Sequence, residues 1–279
     1  MAGKLYVCAT PIGNLEDITI RVIHTLKAVD IIAAEDTRHS RKLLTHFDIH
    51  TPLTSYHEHN KIEKAGRLVD MLLEGKNIAV VTDAGTPVIS DPGEELVRQA
   101  VAAGIEVTSL PGACACITAL TMSALSARRF SFEAFLPANK KARARILEEL
   151  STETRTTIIY EAPHHLKKTL LELREYLGNR PLTLCREITK KYEECIYTDI
   201  DSAIKMYEAE APRGEYVLVV GGCDLNDKLE SERSNFLSMT VNEHMDIYLS
   251  QGMDKKDAMR QVAKDRGVSR REIYNSLLE

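Results

Sequence analysis

The segment TDAGTPVISDPG, residues 82–93, decides the fold. It follows an apolar run at residues 78–81 and precedes a run with helical spacing that begins near Glu94. Two glycines and two prolines fix the shape of this short loop and keep bulky side chains away from its backbone. Because ligands in open α/β sheets bind outside the carboxyl ends of the strands, the loop is a candidate ligand-binding segment. A plain strand-to-helix connector would have a similar composition.

Two other loops of this kind follow predicted strands. ATPIGN, residues 9–14, comes after the first strand, and PGACAC, residues 111–116, comes after the strand at residues 105–110. The carboxyl ends of parallel strands meet at one edge of a sheet, so we expect the three loops to share one site. None of them contains GxGxxG or GxxxxGK[ST], which disfavours a dinucleotide or ATP site.

Strand-like and helix-like runs alternate along the chain, which predicts an α/β fold. In the first half this succession predicts a mainly parallel sheet, with strands at residues 5–9, 31–34, 78–81 and 105–110 and helices near 20–28, 61–73 and 94–103. A second series follows, with strands at residues 132–135, 156–160, 182–185 and 216–220 and helices at 142–150 and 164–176.

The pattern predicts two α/β domains, at residues 1–126 and 127–228, and a helical tail at residues 229–279. The tail has only helical spacing, and Gly252 and Gly267 stand between its segments as helix stops do. Residues 257–274 are typical of helix–turn–helix, and the basic residues of the tail gather around that turn at Lys264, Arg266, Arg270 and Arg271. Both a nucleic-acid contact and a dimerisation appendage fit this pattern.

Composition limits the function classes. The chain has 279 residues, of which 44% are hydrophobic, and a formal net charge of −5, which argues against a protein that binds nucleic acid over its whole surface. No apolar run is long enough to span a bilayer and no signal-peptide pattern is present, so we expect a cytoplasmic protein without membrane association. The six cysteines include Cys114 and Cys116 as CxC but form no zinc set.

Four motifs together resemble those of the tetrapyrrole-methylase superfamily. They are PIGN at residues 11–14, EDTR at 35–38, DAGTPVISDPG at 83–93 and PGA at 111–113. Within the superfamily, the set is similar to the members that methylate the ribose 2′-hydroxyl of a decoding-centre cytidine in 16S ribosomal RNA. The resemblance covers the whole chain. It implies two α/β domains with S-adenosylmethionine in the cleft between them, a homodimer, and 16S ribosomal RNA as substrate within the small ribosomal subunit.

The resemblance also implies positions for the cofactor contacts. They come from the three loops and from the end of a strand in the second half: Pro11, Asp83, Ala84, Gly85, Thr86, Ile89, Cys114, Ala115, Tyr160 and Glu161. Porphyrin-type members carry Gly-Asp-Pro where this chain has Gly85-Thr86-Pro87. This departure favours the RNA-methylating members and disfavours a porphyrinoid substrate.

Catalysis requires little chemistry from the side chains, because a sulfonium methyl group is already activated. Alignment of this methyl group with the attacking oxygen supplies much of the acceleration. A ribose hydroxyl is a poor acid, so a base or a cation near it would help. The candidates are Asp36 and His57 as bases and Arg38 as a substrate-orienting group. Helix capping is an alternative role for Asp36. The triplet at residues 57–59 resembles metal ligands, but sequence neighbours rarely converge on one ion, and we expect no metal.

RNA binding must depend on local patches, since the bulk charge is acidic. The candidates are Arg38, Arg41 and Lys42 on one helix and Lys140, Lys141, Arg143 and Arg145 on another. Two alternative functions remain open. One is a methyltransferase of the same fold that acts on porphyrinoids or other small molecules. The other is a non-catalytic RNA-binding factor of ribosome assembly.

Overall fold

The structure is a computed structural model, and it describes residues 1–58, 61–224 and 236–277. His59 and the predicted domain boundary at residue 229 lie outside the described residues. The chain divides into two compact units. The main unit comprises Met1–Leu150 and Arg155–Gly221, and the terminal unit comprises Ser151–Thr154 and Gly222–Glu279.

A five-stranded parallel sheet forms the first half of the main unit. Its strands have the order β3-β2-β4-β1-β5. The central strand β4 is buried along its whole length, which explains its uninterrupted apolar sequence. The strands are β1 (Lys4–Cys8), β2 (Ile31–Ala34), β3 (Leu53–Ser55), β4 (Ile78–Val81) and β5 (Glu106–Leu110).

Five helices and one 3-10 turn at Leu15–Asp17 accompany the described part of this sheet. The helices are α1 (Ile20–Ala28), α2 (Thr37–His46), α3 (Lys61–Leu73), α4 (Glu94–Ala102) and α5 (Ala115–Met122). The sequence predicts a helix that carries Arg38, Arg41 and Lys42 without giving its bounds, and α2 confirms that helix, whereas β3 was missed. Helix α2 buries only Ser40 and Leu44, so it lacks an apolar stripe, and β3 has only three residues.

The second sheet of the main unit is mixed. Its order is β6-β7-β10-β8-β9, and β10 runs antiparallel to both of its neighbours. The strands are β6 (Phe130–Phe135), β7 (Thr156–Glu161), β8 (Pro181–Arg186), β9 (Glu194–Asp199) and β10 (Tyr216–Val220). The helices are α6 (Lys140–Ser151), α7 (Pro163–Leu177) and α8 (Ile200–Ala209). The α/β prediction is therefore confirmed for both halves, with a different strand direction at β10.

Strand β10 lies at the centre of the second sheet and is fully buried. Its first residue, Tyr216, pairs with Glu161 at the end of β7 and with Arg186 at the end of β8. The start of β10 therefore lies at the edge where β7 and β8 end. The predicted boundary at residues 126 and 127 falls between α5 and β6, where the chain passes from the first sheet to the second.

The described part of the terminal unit is helical. It contains α9 (Val241–Ser250), α10 (Lys255–Arg266) and α11 (Arg270–Ser276). Capping boxes at Thr240 and Ser269 begin α9 and α11, and Gly267 ends α10 with a left-handed φ of 64°. The core of the unit is small and contains Met245, Ala258, Met259, Val262, Ala263 and Ile273.

Across the described ranges, no helix combines the length and the apolar character that a membrane span requires.

Candidate active site

A cavity of about 420 Å³ lies in the main unit, between the carboxyl-end loops of the first sheet and the second sheet. This volume lies within the usual range of small-molecule sites. The first half of the chain contributes Ile12, Ala84, Gly85, Thr86, Ile89, Ser90, Asp91, Cys114 and Ala115. The second half contributes Phe135, Tyr160, Glu161, Ala162, Pro163, Ile188, Lys190, Glu215, Tyr216 and Val217.

Hydrogen bonds join the three loops of the first sheet. Thr10 and Gly85 exchange backbone hydrogen bonds of 2.8 and 3.1 Å, which connect the loop after β1 to the loop after β4. The hydroxyl of Thr86 donates to the carbonyl oxygen of Ala113 at 2.9 Å and connects the loop after β4 to the loop after β5. The expectation that these loops meet is confirmed, and Thr86 has a structural role in bringing them together.

The backbone of the loop at residues 82–93 is strained where it borders the cavity. Val88 and Ser90 have positive φ values of 78° and 68°, which is uncommon for side-chain-bearing residues and most of all for a β-branched one. Gly85 has a φ of 87°, and a Cβ added there would lie 3.3 Å from Cγ2 of Ile12. The conformation therefore favours glycine at residue 85, and a side chain there would be crowded by Ile12.

Tyr160 forms the wall that the second sheet presents to the cavity. Its hydroxyl accepts a hydrogen bond from the backbone N–H of Cys116 at 3.0 Å, at the start of α5. The rings of Phe132 and Phe135 contact it edge-on, with centroids 5.0 and 5.6 Å away. Burial raises the pKa of Tyr160, so the side chain stays a neutral phenol. The ring of Tyr160 thus presents an apolar surface to the cavity, and the N–H of Cys116 holds its hydroxyl in place.

Glu161 is buried and its carboxylate takes part in a closed network. Oε1 accepts from the N–H of Ala162 at 2.9 Å, and Oε2 accepts from the hydroxyl of Thr169. The guanidinium of Arg143 lies 3.9 Å from Oε2 and donates to Thr169 at 2.7 Å and to Glu172 at 2.6 Å. The network places a carboxylate at the cavity wall and supplies its counter-charge from inside the protein.

Arg143 therefore departs from the expectation that it contacts RNA. It is buried at 9% exposure, and its guanidinium is engaged with Glu161, Thr169 and Glu172. The other three basic residues of this helix, Lys140, Lys141 and Arg145, are exposed. Arg143 lies four and seven residues before Leu147 and Leu150, on the buried face of α6, and this spacing is a sequence signal that our prediction overlooked.

Three carboxyl groups, Glu35, Asp83 and Asp91, influence one another beside the cavity. Burial raises the pKa of Asp91 to about 7, and the negative charges of Glu35 and Asp83 add to the shift. Burial also raises the pKa of Glu35, again with a contribution from Asp83. Of the three, only Asp91 lines the cavity.

The thiol of Cys114 lines the cavity at the start of α5. Its Sγ lies 3.4 Å from Sγ of Cys116. The Cys116 thiol, followed by the N–H of Ile117, lowers the pKa of Cys114 by hydrogen bonding to its sulfur, although burial opposes the shift. The cavity therefore has a thiolate-prone sulfur on its wall.

Lys190, after β8, also reaches the cavity. Its Nζ lies 3.1 Å from a carboxylate oxygen of Glu187 and 2.7 Å from one of Glu215. A Cβ added at Gly13 would lie 2.4 Å from Cγ of Lys190, so Gly13 leaves room for this side chain. The loop after β1 and the loop after β8 meet here.

Of the ten cofactor contacts that the sequence predicts, eight line the cavity: Ala84, Gly85, Thr86, Ile89, Cys114, Ala115, Tyr160 and Glu161. Pro11 and Asp83 do not. The carboxylate of Asp83 instead accepts from the backbone N–H of Asp36 at 3.2 Å and joins the loops after β2 and β4.

Sequence reasoning missed the cavity residues that come from Phe135, from residues 188–190 and from residues 215–217. Phe135 ends β6, a strand that the sequence predicts without assigning a site residue to its end. The stretch 215–217 begins a strand, whereas a parallel sheet would supply only strand ends. It reaches the cavity because β10 is antiparallel to β7 and β8.

The candidate catalytic residues lie after β2 and β3. Asp36 begins α2 by accepting from the N–H of Arg38 at 2.8 Å, and it pairs with the guanidinium of Arg38 at 2.8 Å. Hydrogen bonds from the Arg38 side chain and backbone hold the pKa of Asp36 well below its usual range, which makes it a poor base. His57 is half-buried. None of the three lines the cavity.

Three basic side chains of α2 are exposed to solvent. The Arg38 side chain is 89% exposed, and Arg41 and Lys42 are also exposed. On α6, Arg145 pairs with Glu149 one turn later at 3.0 Å, which leaves both side chains largely in solvent. Such pairs are weak and easily exchanged for phosphate.

Comparison with known proteins supports the resemblance. The family model of tetrapyrrole (corrin/porphyrin) methylases matches residues 4–204, a region that ends before the helices of the terminal unit. A protein of Halalkalibacterium halodurans named ribosomal RNA small subunit methyltransferase I is 50% identical over 98% of this chain and 94% of that protein. The protein of the same name from Bacillus subtilis is 46% identical, with the same coverage of both chains.

A solved structure has the same fold. The uroporphyrin-III C-methyl transferase of Thermus thermophilus, complexed with S-adenyl homocysteine, has a TM-score of 0.55 and 15% identity and covers 78% of this chain and 97% of its own. Because the family model matches well over half of the chain and the relatives align along nearly all of it, this chain belongs to the tetrapyrrole methylase family.

Proposed function

We propose that this protein is an S-adenosylmethionine-dependent methyltransferase that acts on 16S ribosomal RNA, at the ribose 2′-hydroxyl of a decoding-centre cytidine. One observation carries the substrate class: similarity to proteins named ribosomal RNA small subunit methyltransferase I extends over 98% of the chain, including the helical terminal unit. The family model alone would leave a porphyrinoid substrate equally open.

The residues of the cavity fit S-adenosylmethionine. Ile12, Ile89 and Val217 supply apolar walls that suit a purine ring, and the bare backbone at Gly85 admits a ligand to close approach. The carboxylates of Asp91 and Glu215 suit an amine or ribose hydroxyls. When bound, the cofactor supplies an activated methyl group. The protein contributes position: the bonds between Thr10 and Gly85, and between Thr86 and Ala113, hold the loops in place.

For the substrate side we propose three roles outside the cavity. The exposed Arg38 orients the RNA through a phosphate, and Arg41 and Lys42 on the same helix extend that contact. Lys140, Lys141 and Arg145 form a second patch. His57 is the better candidate base, because Asp36 is held ionised by Arg38 and accepts a proton poorly.

We further propose that the substrate is the RNA within the small ribosomal subunit, that the protein acts as a homodimer, and that it is located in the cytoplasm, where such subunits are assembled. Dimerisation would bring two sets of the basic patches to one RNA and so raise their effective local concentration. This part rests on the substrate class and on the family resemblance.

The decisive experiment incubates the purified protein and S-adenosylmethionine with one of two substrates that lack the modification. One substrate is the small subunit, and the other is protein-free 16S ribosomal RNA. Nuclease digestion and mass spectrometry then locate any added methyl group. A 2′-O-methylcytidine in the decoding centre is the expected product. Methylation of a porphyrinoid in a parallel incubation, with the RNA left unmodified, would support the small-molecule alternative. Cofactor binding by calorimetry without any methylated product would support a non-catalytic assembly factor.

A further inference from the structure

Four cationic side chains line one groove on the terminal unit. Lys255 and Lys256 lie in the first turn of α10, and Arg270 and Arg271 lie in the first turn of α11. The buried Met259 and the ring of Tyr274, whose residue is 53% exposed, complete the lining. The groove is thus basic and has an accessible aromatic face.

The acids of these two helices are already engaged elsewhere. Asp254 caps α10 by accepting from the N–H groups of Lys256 and Asp257, both at 2.8 Å. Asp257 pairs with Arg260 at 3.4 Å. Glu272 closes a capping box by accepting from the N–H of Ser269 at 2.9 Å. Within residues 236–277, none of these carboxylates forms an ion pair with a groove cation.

Two other basic residues of the unit differ from the groove cations. Arg266 is buried and has a structural role, because its guanidinium donates to Nδ1 of His244 at 3.2 Å and to the carbonyl oxygen of Met239 at 2.6 Å. Lys264 is exposed but does not line the groove. The basic cluster that the sequence indicates around the turn is therefore divided, and only Arg270 and Arg271 of it belong to the groove.

Gathered positive charges repel one another, and an anionic chain relieves this repulsion by placing phosphates between them. An exposed tyrosine ring in a basic groove is the arrangement on which single-stranded nucleic acids stack their bases, whereas paired RNA offers no free base face. We propose that this groove binds a single-stranded segment of ribosomal RNA, with Lys255, Lys256, Arg270 and Arg271 on phosphates and Tyr274 stacked on a base. The identity of the RNA rests on the proposed function.

The groove lies outside the region that the tetrapyrrole methylase model matches. A binding element there adds to the shared fold without altering the cavity. The groove provides an RNA contact that does not depend on cofactor binding. Variants of the groove should therefore change RNA affinity and leave cofactor affinity unchanged.

The test measures binding of the full-length protein to a short fluorescein-labelled single-stranded RNA by fluorescence anisotropy over a series of salt concentrations. The double variant Lys256→Glu/Arg271→Glu removes two phosphate contacts. Each contact contributes about 0.7 to the slope of log affinity against log salt, so the slope should flatten by about 1.4. Lys264→Glu, an exposed charge reversal outside the groove, is the matched control and should leave the slope unchanged.

The ring is tested separately. Tyr274→Ala should weaken binding by at least about five-fold, and Tyr274→Phe should retain it, because stacking needs the ring and not the hydroxyl. The side chain is exposed, so both variants should fold, which circular dichroism checks. If the charge reversals weaken RNA binding but Tyr274→Ala does not, the groove attracts any polyanion. That result would overturn the proposal of a stacked single strand.

Failure of the groove and failure of the proposed function give different results. If wild type methylates ribosomal RNA while the groove variants bind RNA as the Lys264→Glu control does, the function stands and the groove proposal is overturned. If wild type binds the labelled RNA through the groove but yields no methylated nucleotide, the groove proposal stands and the methyltransferase proposal fails. If wild type does not bind the labelled RNA, the groove proposal is overturned, and the methylation assay decides the proposed function separately.

Discussion

The hydroxyl of Thr86 donates to the carbonyl oxygen of Ala113 at 2.9 Å, although the two residues lie in loops that follow different strands. The family resemblance makes Thr86 a predicted mark of substrate class. The structure gives it a second role, as a tie between two loops that border the cavity. An ionised Asp could not donate this bond.

Replacing Thr86 tests this role. Thr86→Val keeps the shape but removes the donor, which should lower the free energy of unfolding by about 1 kcal/mol. It should also weaken S-adenosylmethionine binding, because the loops are no longer joined. Thr86→Ser retains the donor and should behave as wild type. Urea unfolding and calorimetry measure the two effects, and unchanged cofactor affinity in Thr86→Val would show that the tie does not shape the site.

Gly85 and Gly104 form a matched pair. Both have left-handed backbones, with φ values of 87° and 74°, but an added Cβ meets Ile12 at residue 85 and open space at residue 104. Alanine at either residue should lower the free energy of unfolding by about 1 kcal/mol through backbone strain. Only Gly85→Ala should also weaken cofactor binding in calorimetry. Equal cofactor affinities of the two variants would contradict the placement of the cofactor against Gly85.

Arg143 and Arg145 lie on the same helix, but we expect Arg143 to stabilise the fold and Arg145 to contact RNA. Arg143→Met leaves the Glu161 carboxylate buried without its counter-charge, which should lower the free energy of unfolding by about 3 kcal/mol. Arg145→Met removes only an exposed pair with Glu149 and should cost less than about 0.5 kcal/mol. Urea unfolding measures both variants. If the two variants unfolded alike, Arg143 would not be a structural residue.

Asp91 should make stability depend on pH. Its pKa is raised to about 7 in the folded state, from an ordinary value near 4, so the folded state binds the proton more tightly. Its contribution to stability is therefore complete below about pH 4 and is lost as the pH rises to about 7. Because Asp91 is only partly buried, solvent screens its carboxyl, and the loss should be smaller than the full pKa shift would give.

Asp91→Asn should remove this pH dependence, since the amide does not ionise. Urea unfolding at pH 5 and pH 8 should show wild type losing stability between the two conditions and the variant losing less. Asp70→Asn, at an exposed position on α3, controls for the loss of one negative charge. A variant that tracked wild type at both pH values would disprove the role of Asp91.

Cys114 should be alkylated selectively at neutral pH. The Cys116 thiol lowers the pKa of Cys114, so more of the reactive thiolate is present than for an ordinary cysteine. Iodoacetamide at pH 7, followed by peptide mass spectrometry, should modify Cys114 faster than the half-buried Cys223. S-adenosylhomocysteine should protect Cys114 and leave the labelling of Cys223 unchanged. Labelling of Cys114 at an unchanged rate in its presence would place the ligand elsewhere.

The prediction from sequence succeeded where local chemistry decides the structure. Apolar runs bounded by Gly and Pro gave β4 and its loop, whereas the family resemblance supplied the ten cofactor positions, of which eight line the cavity. It failed for β3, which is too short for a periodic pattern. The parallel pairing of β3 with β2, rather than the local sequence, specifies this strand.

By itself, the sequence determined the alternation of strands and helices, the Gly/Pro-rich loops at the edge of the first sheet, and the family. Local periodicity and backbone restrictions encode the elements and the loops within a few residues of one another, and the family follows from the resemblance of four motifs. Only the tertiary structure decided that β10 runs antiparallel and brings residues 215–217 to the cavity. It also decided that Arg143 turns inward to Glu161 while Lys140, Lys141 and Arg145 stay outside. Strand direction and burial depend on partners distant in sequence, which no local pattern records.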